Sequence, residues 1–544
     1  MRSVLFPLFC LHLGVYGSAQ GIRGRSYQAS IPAKSNTDRP TTEQCLKILG
    51  WKNCKAVDVS GSNIQIASNV LTAMIPGAID LPGTEEYNES MTHYWSAAAV
   101  ERAASIVHPA SAEEVATTIK VLECFQVPFA VRSGGHQTAH GAAAIKDGIL
   151  ISLDRLHAIS YNADNEIVSF GPGNRWLSVY RHLDIYNRGV TGGHIGLVGT
   201  GGQITGGGTS PFFHRYGFSS SNVHNFQVVV AGGSIVNANI EENPDLFWAL
   251  KGGANNFGIV TRLDMVTFPL QGIWSGGLGF DVGKKEEVLG AFWKFQTESI
   301  VKDNGTEILL GFGIHGNQSF IRGEAFADSS GYGNESYPDA FKPFYDVGVL
   351  YQDAQDQRLA VSANLMASEN LPEEGKLWNT PGGEGRMNLA MVTLKPDLQL
   401  YSEAVDIYLD TFNAARGVKD AQINLHMSPL TANAVRHAKE RGGMAAGWAE
   451  EDQLFFNIEM VYSQASDDEL MHSLSRECMV KVGALAAERG LLMPTIWMNN
   501  AHTEDDVLGS YGAENYAKMK EVSQKYDPKR TFQDLCSGAY KLDK

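Results

Sequence analysis

The chain has 544 residues, 43% of them hydrophobic, and a formal net charge of −16 from 44 basic and 60 acidic residues. This length is enough for two or three domains with a large core, and the composition is that of an ordinary globular protein. The negative charge argues against nucleic acid and anionic membranes as partners, because both favour basic protein surfaces.

The first residues have the three-part pattern of a secretory signal peptide. A short basic start at 1–3 precedes an apolar run at 4–16 and small residues at 17–19. We predict cleavage after Ala19, which places the protein outside the cell or in the lumen of the secretory pathway. The apolar run is too short to span a bilayer as a helix, and no later stretch predicts a membrane span.

Five cysteines remain after the predicted signal peptide, so at least one thiol is free or paired between chains. We predict a disulfide between Cys45 and Cys54, which flank a short helix-like segment in a chain bound for an oxidising compartment. The other three are Cys124, Cys478 and Cys536, and Cys478 falls on the apolar face of a predicted helix. No Cys/His cluster with zinc spacing occurs in the sequence, so we predict no metal site.

The sequence contains four sequons for N-glycosylation. Each is a short match that also arises by chance, but in a secreted chain each predicts a surface glycan. The acceptor residues are Asn88, Asn304, Asn317 and Asn334.

Short strands and helices alternate through the first half of the chain. This interleaving predicts an α+β domain that binds a cofactor. We expect helices at 110–121, 176–185 and 245–250, strands at 128–131, 148–153 and 257–268, and a hairpin of 226–230 with 234–236 around the turn at 231–233.

The segment 271–494 has a different rhythm, in which longer β-like runs alternate with longer amphipathic helices. This pattern predicts a second domain, an antiparallel sheet covered by helices on one side. The expected strands are 307–312, 359–366, 421–427 and 453–462, and the expected helices are 285–298, 401–415 and 468–489.

Two glycine-rich segments suggest a long cofactor whose diphosphate lies against bare backbone. The first is Arg132-Ser133-Gly134-Gly135-His136, directly after a predicted strand. Glycine lets backbone N–H groups converge on an anion without interference from a Cβ atom. The second segment extends over 192–208 and includes Val198, Gly199, Gly201, Gly202, Gly206, Gly207 and Gly208.

The order of motifs along nearly the whole mature chain resembles a known family. The motifs are Trp95, Ile106-Val107-His108-Pro109, the two glycine segments, Asp245-Leu246-Phe247-Trp248-Ala249-Leu250-Lys251-Gly252-Gly253, Phe257-Gly258-Ile259-Val260-Thr261 and Lys525-Tyr526-Asp527-Pro528. The chain is similar to FAD-linked oxidoreductases of the vanillyl-alcohol-oxidase superfamily, in the berberine-bridge-enzyme-like branch and in the style of fungal secondary metabolism.

The resemblance implies an α+β fold with a two-part FAD-binding domain of the PCMH type and a separate substrate domain. After the signal peptide at 1–19, we expect a lead-in and the start of the FAD domain at 20–98 and the FAD-binding domain at 99–270. The substrate domain then occupies 271–494, and a C-terminal berberine-bridge-like segment at 495–544 returns to the FAD domain.

The resemblance also implies extended FAD with its diphosphate on the two glycine segments, joined covalently by His136 to the 8α-methyl of the flavin. Ile259 and Asn499 belong to the same expected cofactor site. Many members carry a second tether, a cysteine three residues before the Val-Gly of the second segment, but here that position is Ile195. The residue before Gly199 gates oxygen in relatives, and the small Val198 favours an oxidase that returns electrons to O2.

The catalytic base is the least defined part of the site. Asn457 and Glu459 fall near the place where relatives carry a carboxylate or amide, and period-two spacing puts both on one face of a strand. Glu459 in this apolar strand is a candidate base with a raised pKa, although a solvent-facing Glu459 fits equally well. Tyr462 and His502 are alternates, and Trp497 stands where many relatives have a tyrosine two residues before Asn499.

Three activities on a small-molecule substrate remain open at this stage. The first is an oxidase that moves a hydride from a carbon bearing an alcohol or amine to the flavin and then reduces O2. The others are a cyclase or isomerase of a biosynthetic pathway, and a carbohydrate oxidase. The fold does not decide among them, because function depends on the site.

Overall fold

A computed structural model describes residues 40–50, 58, 60–332, 336–368, 379–380 and 383–543. The predicted signal peptide, Cys54 and Asn334 lie outside these residues. Within them, the strands form sheets of four, five and nine strands and two further two-stranded pairs. The described residues contain no helix that is both long enough and apolar enough to cross a membrane.

The four-stranded sheet has the order β1-β2-β4-β3, and β4 runs parallel to both of its neighbours. All four residues of β4 are buried, as is usual for a parallel strand covered on both faces. Its strands are β1 (Ile79–Asp80), β2 (Ser105–Val107), β3 (Phe129–Arg132) and β4 (Ile149–Ser152), and the helices of this part of the chain are α1 (Thr42–Ile48), α2 (Asn63–Met74), α3 (Glu85–Ser90) and α4 (Ala112–Phe125).

The disulfide in this region differs from the predicted one. Cys45 in α1 is joined to Cys124 in α4, with 5.6 Å between their Cα atoms. The predicted pairing of Cys45 with Cys54 is therefore wrong. Of the helix-like segment predicted between these two cysteines, the part up to Ile48 belongs to α1, which starts at Thr42 under a Thr41 cap. Residues 51–53 of that segment lie outside the described residues.

The five-stranded antiparallel sheet has the order β5-β6-β10-β8-β9. The predicted hairpin is confirmed, since β8 and β9 pair on either side of the turn at 231–233. The strands are β5 (Ile159–Asn162), β6 (Ile167–Phe170), β8 (Val223–Val229), β9 (Ile235–Ala238) and β10 (Ile259–Val266), with the separate pair β7 (Arg188–Gly189) and β11 (Phe268–Pro269). The helices are α5 (Trp176–Asp184), α6 (Thr200–Thr205), α7 (Phe213–Tyr216) and α8 (Pro244–Leu250).

The nine-stranded sheet is antiparallel, in the order β15-β12-β14-β13-β20-β21-β19-β22, with β16 also on β12. Its strands are β12 (Ile273–Phe280), β13 (Thr306–His315), β14 (Gln318–Ala327), β15 (Tyr351–Gln352), β16 (Gln355–Gln357), β19 (Arg386–Leu394), β20 (Gln422–Leu430), β21 (Gln453–Tyr462) and β22 (Leu492–Met493), and β17 (Asn379–Thr380) pairs with β18 (Gly383–Glu384). The remaining helices are α9 (Lys285–Lys294), α10 (Ile300–Lys302), α11 (Lys342–Val347), α12 (Leu359–Ser368), α13 (Leu398–Phe412), α14 (Ala432–Glu440), α15 (Asp468–Glu488), α16 (Val507–Ser510) and α17 (Ala513–Tyr526).

The two faces of the nine-stranded sheet have different surroundings. On β21, Phe456, Ile458 and Met460 pack with α9, α13 and α15 in one apolar core. The alternate residues point to the other face, where they line a cavity. The predicted antiparallel sheet with helices on one side is confirmed.

One predicted strand of this half is wrong. The apolar segment expected as a strand at 359–366 forms α12. Its Leu359, Ala360 and Ala363 are buried in the same core as α5. Burial in a helix and burial in a strand produce the same apolar run, so the composition of this short segment did not separate them.

The C-terminal segment returns to the four-stranded sheet. Cys536 forms a parallel bridge with Phe129 of β3, and the Ser537 N–H donates to the Phe129 carbonyl at 2.7 Å. Further along, Asn256 Nδ2 donates to the Tyr540 carbonyl at 3.0 Å. These contacts bring Tyr540 to the wall of the cavity.

Candidate active site

A cavity of about 570 Å³ is lined both by the glycine-rich segments and by the nine-stranded sheet. This volume is in the range of small-molecule and cofactor sites. One wall is backbone-rich and includes Ser133, Gly134, Gly135, Gly199 and Gly201. The wall on the sheet carries polar side chains, and residues 497–500 and 538–540 also contribute.

The two glycine-rich segments contact each other directly. A Cβ atom on Gly134 would lie 2.7 Å from the backbone nitrogen of Gly199, so neither position has room for a side chain. Gly135 has a φ of +67°, a left-handed conformation that glycine adopts without strain. The close approach leaves bare backbone facing the cavity on both segments.

His136 faces the cavity beside this backbone. Its ring is stacked on Trp95, with 4.2 Å between the ring centroids and 7° between the planes. Burial, helped by the nearby Arg175 guanidinium, lowers the pKa of His136 to about 3. The imidazole is therefore neutral at ordinary pH, and a neutral imidazole has a nitrogen lone pair available for bond formation.

Arg132 does not point into the cavity, in contrast to its neighbours in the motif. Its guanidinium is buried and donates to the Ser90 carbonyl, to Ser90 Oγ and to Ser152 Oγ. Arg132, an expected cofactor residue, does not line the cavity, because the alternation of β3 turns its side chain into the protein. Ser133 lines the cavity, and its hydroxyl donates to the Pro172 carbonyl at 2.5 Å.

The other expected cofactor residues divide into two groups. Val198, Gly202, Ile259 and Asn499 line the cavity. The triplet at 206–208 does not line it and instead supports Asn499, whose Oδ1 accepts from the Gly208 N–H at 3.2 Å. Gly206, Gly207 and Gly208, which were expected to contact the cofactor, thus lie behind Asn499 rather than at the cavity wall.

The sheet presents a polar face to the cavity. Asn457 and Glu459 of β21 both line it, as the period-two pattern predicted. Directly opposite on β20 stand His426, paired with Asn457, and Asn424, paired with Glu459. These β20 residues were not predicted, although polar side chains at 422, 424, 426 and 428 alternate with apolar ones at 423, 425 and 427.

The enclosed surroundings change the acid–base properties of this face. Burial raises the pKa of Glu459 to about 7, against a smaller opposing effect of a side-chain hydrogen bond with Asn424. Burial also lowers the pKa of His426 to about 4. The Oδ1 atom of Asn457 is buried and has no hydrogen-bond partner among the described residues. Glu459 is therefore poised to exchange a proton near neutral pH.

Tyr462 lies on the opposite face of β21 and does not line the cavity. Its hydroxyl donates to Asp468 Oδ1 at 2.8 Å, and the side chain is fully buried in the core with α15. Tyr462, predicted as a catalytic residue, therefore does not reach the cavity, because it lies three positions after Glu459 and an odd spacing reverses the face of a strand. His502, the other alternate, contacts His472 at 3.0 Å outside the cavity lining.

Two further features of the cavity wall were not predicted. Trp497 stacks on Phe455 with 5.3 Å between centroids, and its Nε1 atom is buried without a partner among the described residues. His194 lines the cavity and bonds through Nε2 to Glu307 Oε2 at 2.7 Å, with Glu307 buried. Glu307 is on β13, more than a hundred residues from His194 along the chain, so no local sequence pattern could predict this pair.

The residues present fit an FAD. The backbone of the two glycine segments forms a cradle that any Cβ atom would fill, which suits a diphosphate. A neutral histidine stands at the side of this cradle, and an unpartnered amide oxygen faces the cavity from the sheet. The described residues contain no group of three or more His, Cys, Asp or Glu side chains that could hold a metal ion.

Comparisons with known proteins point in the same direction. A family model described as an FAD binding domain matches residues 103–239. The chain is 33% identical to the bifunctional solanapyrone synthase of Alternaria solani over 519 residues, covering 94% of this chain and 97% of that one. It is 30% identical to an FAD-dependent monooxygenase of Penicillium roqueforti, covering 88% and 93% of the two chains.

Solved structures share the fold at lower identity. The xylooligosaccharide oxidase of Myceliophthora thermophila has a TM-score of 0.71 at 18% identity, covering 86% of this chain and 99% of that one. The glucooligosaccharide oxidase of Acremonium strictum, whose FAD is 6-S-cysteinyl and 8α-N1-histidyl linked, has a TM-score of 0.69 at 20% identity and coverages of 87% and 99%. Fold and site thus define an FAD-linked oxidoreductase. The chain belongs to the family of FAD-dependent enzymes that includes the solanapyrone synthase and the Penicillium monooxygenase, and it shares its fold with a berberine-bridge-enzyme-like protein of Physcomitrella patens.

Proposed function

We propose that the protein is an oxidase that takes a hydride from a carbon bearing an alcohol or amine of a small biosynthetic intermediate. The electrons leave to O2, which is reduced to H2O2. The observation that carries this proposal is that His136 and Glu459 line one cavity from its two different walls. One wall offers a place for the flavin and the other offers a base for the substrate.

The backbone-rich wall is the proposed FAD site. When bound, FAD supplies the hydride acceptor and the electron carrier to O2. In this proposal the backbone of Ser133, Gly134, Gly199 and Gly201 holds the diphosphate, and His136 forms the covalent link. Ile195 occupies the position of the second tether, so the flavin has at most one covalent bond to the protein.

The polar face of the sheet is the proposed substrate site. A hydride leaves carbon only as the proton of the attached O–H or N–H is removed, so a base must lie within hydrogen-bond reach. Glu459 is the proposed base, with Asn457 beside it as a hydrogen-bonding group. His426 stays neutral at ordinary pH because of its low pKa, and it offers a further hydrogen bond to the substrate.

A second candidate is an oxidation coupled to ring closure. The relative with 33% identity is named a bifunctional synthase, and the match covers almost its entire length. Trp497, in place of a tyrosine, gives the cavity an aromatic wall against which a planar or unsaturated intermediate would pack. The likeness to oligosaccharide oxidases concerns the fold, and it does not favour a sugar substrate.

The protein is also proposed to be secreted or lumenal and to carry glycans. The Cys45–Cys124 disulfide suits an oxidising compartment. Asn88 and Asn317 are exposed, as glycan acceptors must be. Asn304 is half-buried and accepts a hydrogen bond from Arg215 Nε at 3.0 Å, so it is the weaker candidate.

The test is aerobic and anaerobic turnover on a panel of small alcohols, amines, sugars and unsaturated polyketide-like alcohols. Peroxide detection, bleaching of the flavin without oxygen and product mass would be recorded together. Loss of two hydrogens from the substrate with one equivalent of H2O2 supports the oxidase. A second product with the same mass as the oxidised product, but with a new ring, supports the coupled cyclisation. Isomerisation of the substrate without any flavin bleaching would contradict the oxidase.

A further inference from the structure

We infer that Trp95 is the residue that positions His136 for covalent attachment of the flavin. The inference rests on the proposed function, because it concerns how the proposed tether is made. The imidazole and the indole are nearly parallel, with 7° between their planes and 4.2 Å between their centroids. Trp95 is almost completely buried and also lines the cavity.

Nothing else in the described residues orients the His136 ring by a directed contact. Neither of its nitrogens has a protein hydrogen-bond partner there, whereas His108 and His194 are each held by a carboxylate. A histidine that must present a nitrogen lone pair to another atom cannot also use that lone pair to fix itself. A flat ring stacked on the imidazole restricts its plane and leaves both nitrogen edges free.

The backbone around Trp95 is anchored on both sides. The backbone N–H of Trp95 donates to the Gly135 carbonyl at 2.9 Å, which ties the Trp95 backbone to the residue before His136. On the other side, the Ala97 N–H donates to the Gly385 carbonyl at 2.9 Å, and Ser96 Oγ accepts from the Met387 N–H at 2.9 Å. The indole is thus held between the first glycine segment and strand β19.

The indole also has its own apolar socket in the sheet. It packs in a small cluster with Met387 and Leu389 of β19 and Val461 of β21. This socket shares strand β21 with the polar face of the cavity, which β20 and β21 carry. The orientation of His136 is therefore set from the substrate side of the molecule, across the cavity from the rest of its loop.

The chemical step has a simple balance. One bond forms between an imidazole nitrogen and the 8α carbon of the flavin, while the N–H and one C–H bond break and release two protons. The two electrons pass through the flavin to O2, which gives H2O2 on protonation. The step needs a neutral imidazole, and the low pKa of His136 provides it down to about pH 4.

The experiment compares Trp95→Leu, Trp95→Phe and Val461→Ala with the wild type. Each full-length protein is produced in riboflavin-starved cells so that it is purified without flavin, and it is then incubated with excess FAD in air. The covalent fraction is followed by acid precipitation, in-gel flavin fluorescence and intact mass. We expect attachment to be about 10- to 100-fold slower in Trp95→Leu, the usual effect of a misplaced reacting group. Trp95→Phe keeps a stacking ring and should lie much closer to the wild type.

Val461→Ala is the matched control, because it loosens the same apolar cluster without removing the stacked ring. Its thermal stability should fall while its rate of attachment stays at the wild-type value. If Trp95→Leu binds FAD and attaches it at the wild-type rate, only the role of Trp95 is overturned and the proposed tether stands. A wild-type protein that releases all its FAD in acid would instead overturn the tether, and with it the role of Trp95. If Trp95→Leu does not fold, the test rests on Trp95→Phe and Val461→Ala. Attachment that is about 10- to 100-fold slower than wild type in Trp95→Phe, or equally slowed in both variants, would contradict the stacking argument.

Discussion

At the scale of single residues, burial shifts the pKa values of His136 and Glu459, on the two walls of the cavity, in opposite directions. The same loss of water lowers the pKa of His136 to about 3 and raises the pKa of Glu459 to about 7. Both shifts favour the neutral form of each group, because a charge is costly in a poorly solvated place. A neutral nucleophile and a carboxylic acid that ionises near pH 7 are therefore available in one cavity.

Replacement of His136 by Ala should abolish covalent attachment. The wild-type protein should stay yellow after acid precipitation, whereas His136→Ala should release its FAD to the supernatant. The cradle of backbone groups remains, so the variant should still bind FAD before denaturation, with slower turnover. Flavin that remains with the His136→Ala polypeptide in acid would show that another residue forms the link.

Replacement of Glu459 by Gln should slow flavin reduction about 10²- to 10⁴-fold, the usual contribution of a positioned base. In the wild type the rate of reduction should rise as the pH passes through about 7, because the carboxyl must be ionised to accept the proton. The variant should show no such rise. Rapid-mixing measurements of flavin bleaching between pH 5 and pH 9 test both points, and a wild-type rate in Glu459→Gln would exclude this base.

The same residue predicts a change in stability with pH. The pKa of Glu459 is raised in the folded state from 4.5 to about 7, so its contribution to stability is fully present below pH 4.5 and is lost as the pH rises through 7. Above pH 7, Glu459→Gln should therefore have a higher Tm than the wild type. Thermal unfolding at pH 6 and pH 8 measures this, and a Tm difference that does not change with pH would contradict it.

Val198 lies at the cavity wall and is proposed to control the access of O2. The bulkier Val198→Ile should slow reoxidation of the reduced flavin much more than it slows reduction by substrate. The two half-reactions are measured separately, the first by mixing reduced protein with oxygenated buffer. Equal slowing of both would leave Val198 as a packing residue.

At the scale of elements, the site depends on two segments of backbone that touch and on one strand with two different faces. On β21 the even-numbered residues from 454 to 462 lie in the core, whereas Phe455, Asn457 and Glu459 line the cavity. On the opposite wall, the contact of Gly134 with Gly199 sets the distance between the two glycine segments. Because the packing is tight, one added atom at that contact would displace both glycine segments.

Gly199→Ala should weaken FAD binding. Its added Cβ atom would lie 2.5 Å from the backbone nitrogen of Gly134 and 3.2 Å from Ser133 Oγ, so the two segments must move apart. We expect a loss of stability of about 1–3 kcal/mol and a lower flavin content. Gly290→Ala in α9 is the control, because its Cβ atom meets nothing within 4 Å and should be neutral or slightly stabilising.

At the scale of the whole molecule, distant parts of the chain meet at one cavity. The backbone-rich wall comes from the first half of the chain, the polar face comes from the nine-stranded sheet, and Trp497 and Tyr540 come from the last fifty residues. The N-terminal helix α1 is joined to this assembly by the disulfide to α4, which closes a loop of 79 residues. Closing a loop of this length lowers the entropy of the unfolded chain.

Loss of the disulfide should destabilise the folded protein. Cys124→Ser is expected to lower the free energy of unfolding by about 2–5 kcal/mol, the usual value for a native disulfide. A reducing agent should destabilise the wild type by a similar amount and have no further effect on Cys124→Ser. Denaturant unfolding with and without the reducing agent checks this, and an unchanged midpoint in the variant would show that the bond contributes nothing.

The sequence by itself determined the cofactor class and much of the local structure. The glycine motifs predicted a diphosphate lying against bare backbone, and the resemblance carried by the order of all the motifs implied FAD and its link to His136. The alternation in 453–462 placed Asn457 and Glu459 together, because the side-chain period of a strand is two. Helices with clear caps, such as α4 after Ser111, were predicted within a few residues of their observed ends.

The tertiary structure alone decided which distant groups meet. It paired Cys45 with Cys124 rather than with Cys54, which is nearer along the chain. A disulfide requires Cα atoms that are close in space, and those of Cys45 and Cys124 are 5.6 Å apart. It formed α12 from an apolar run that fits either state, it turned Arg132 and Tyr462 away from the cavity, and it stacked Trp95 on His136. Local patterns report the period of an element, whereas these contacts depend on how separate elements pack, and that packing is a property of the whole chain.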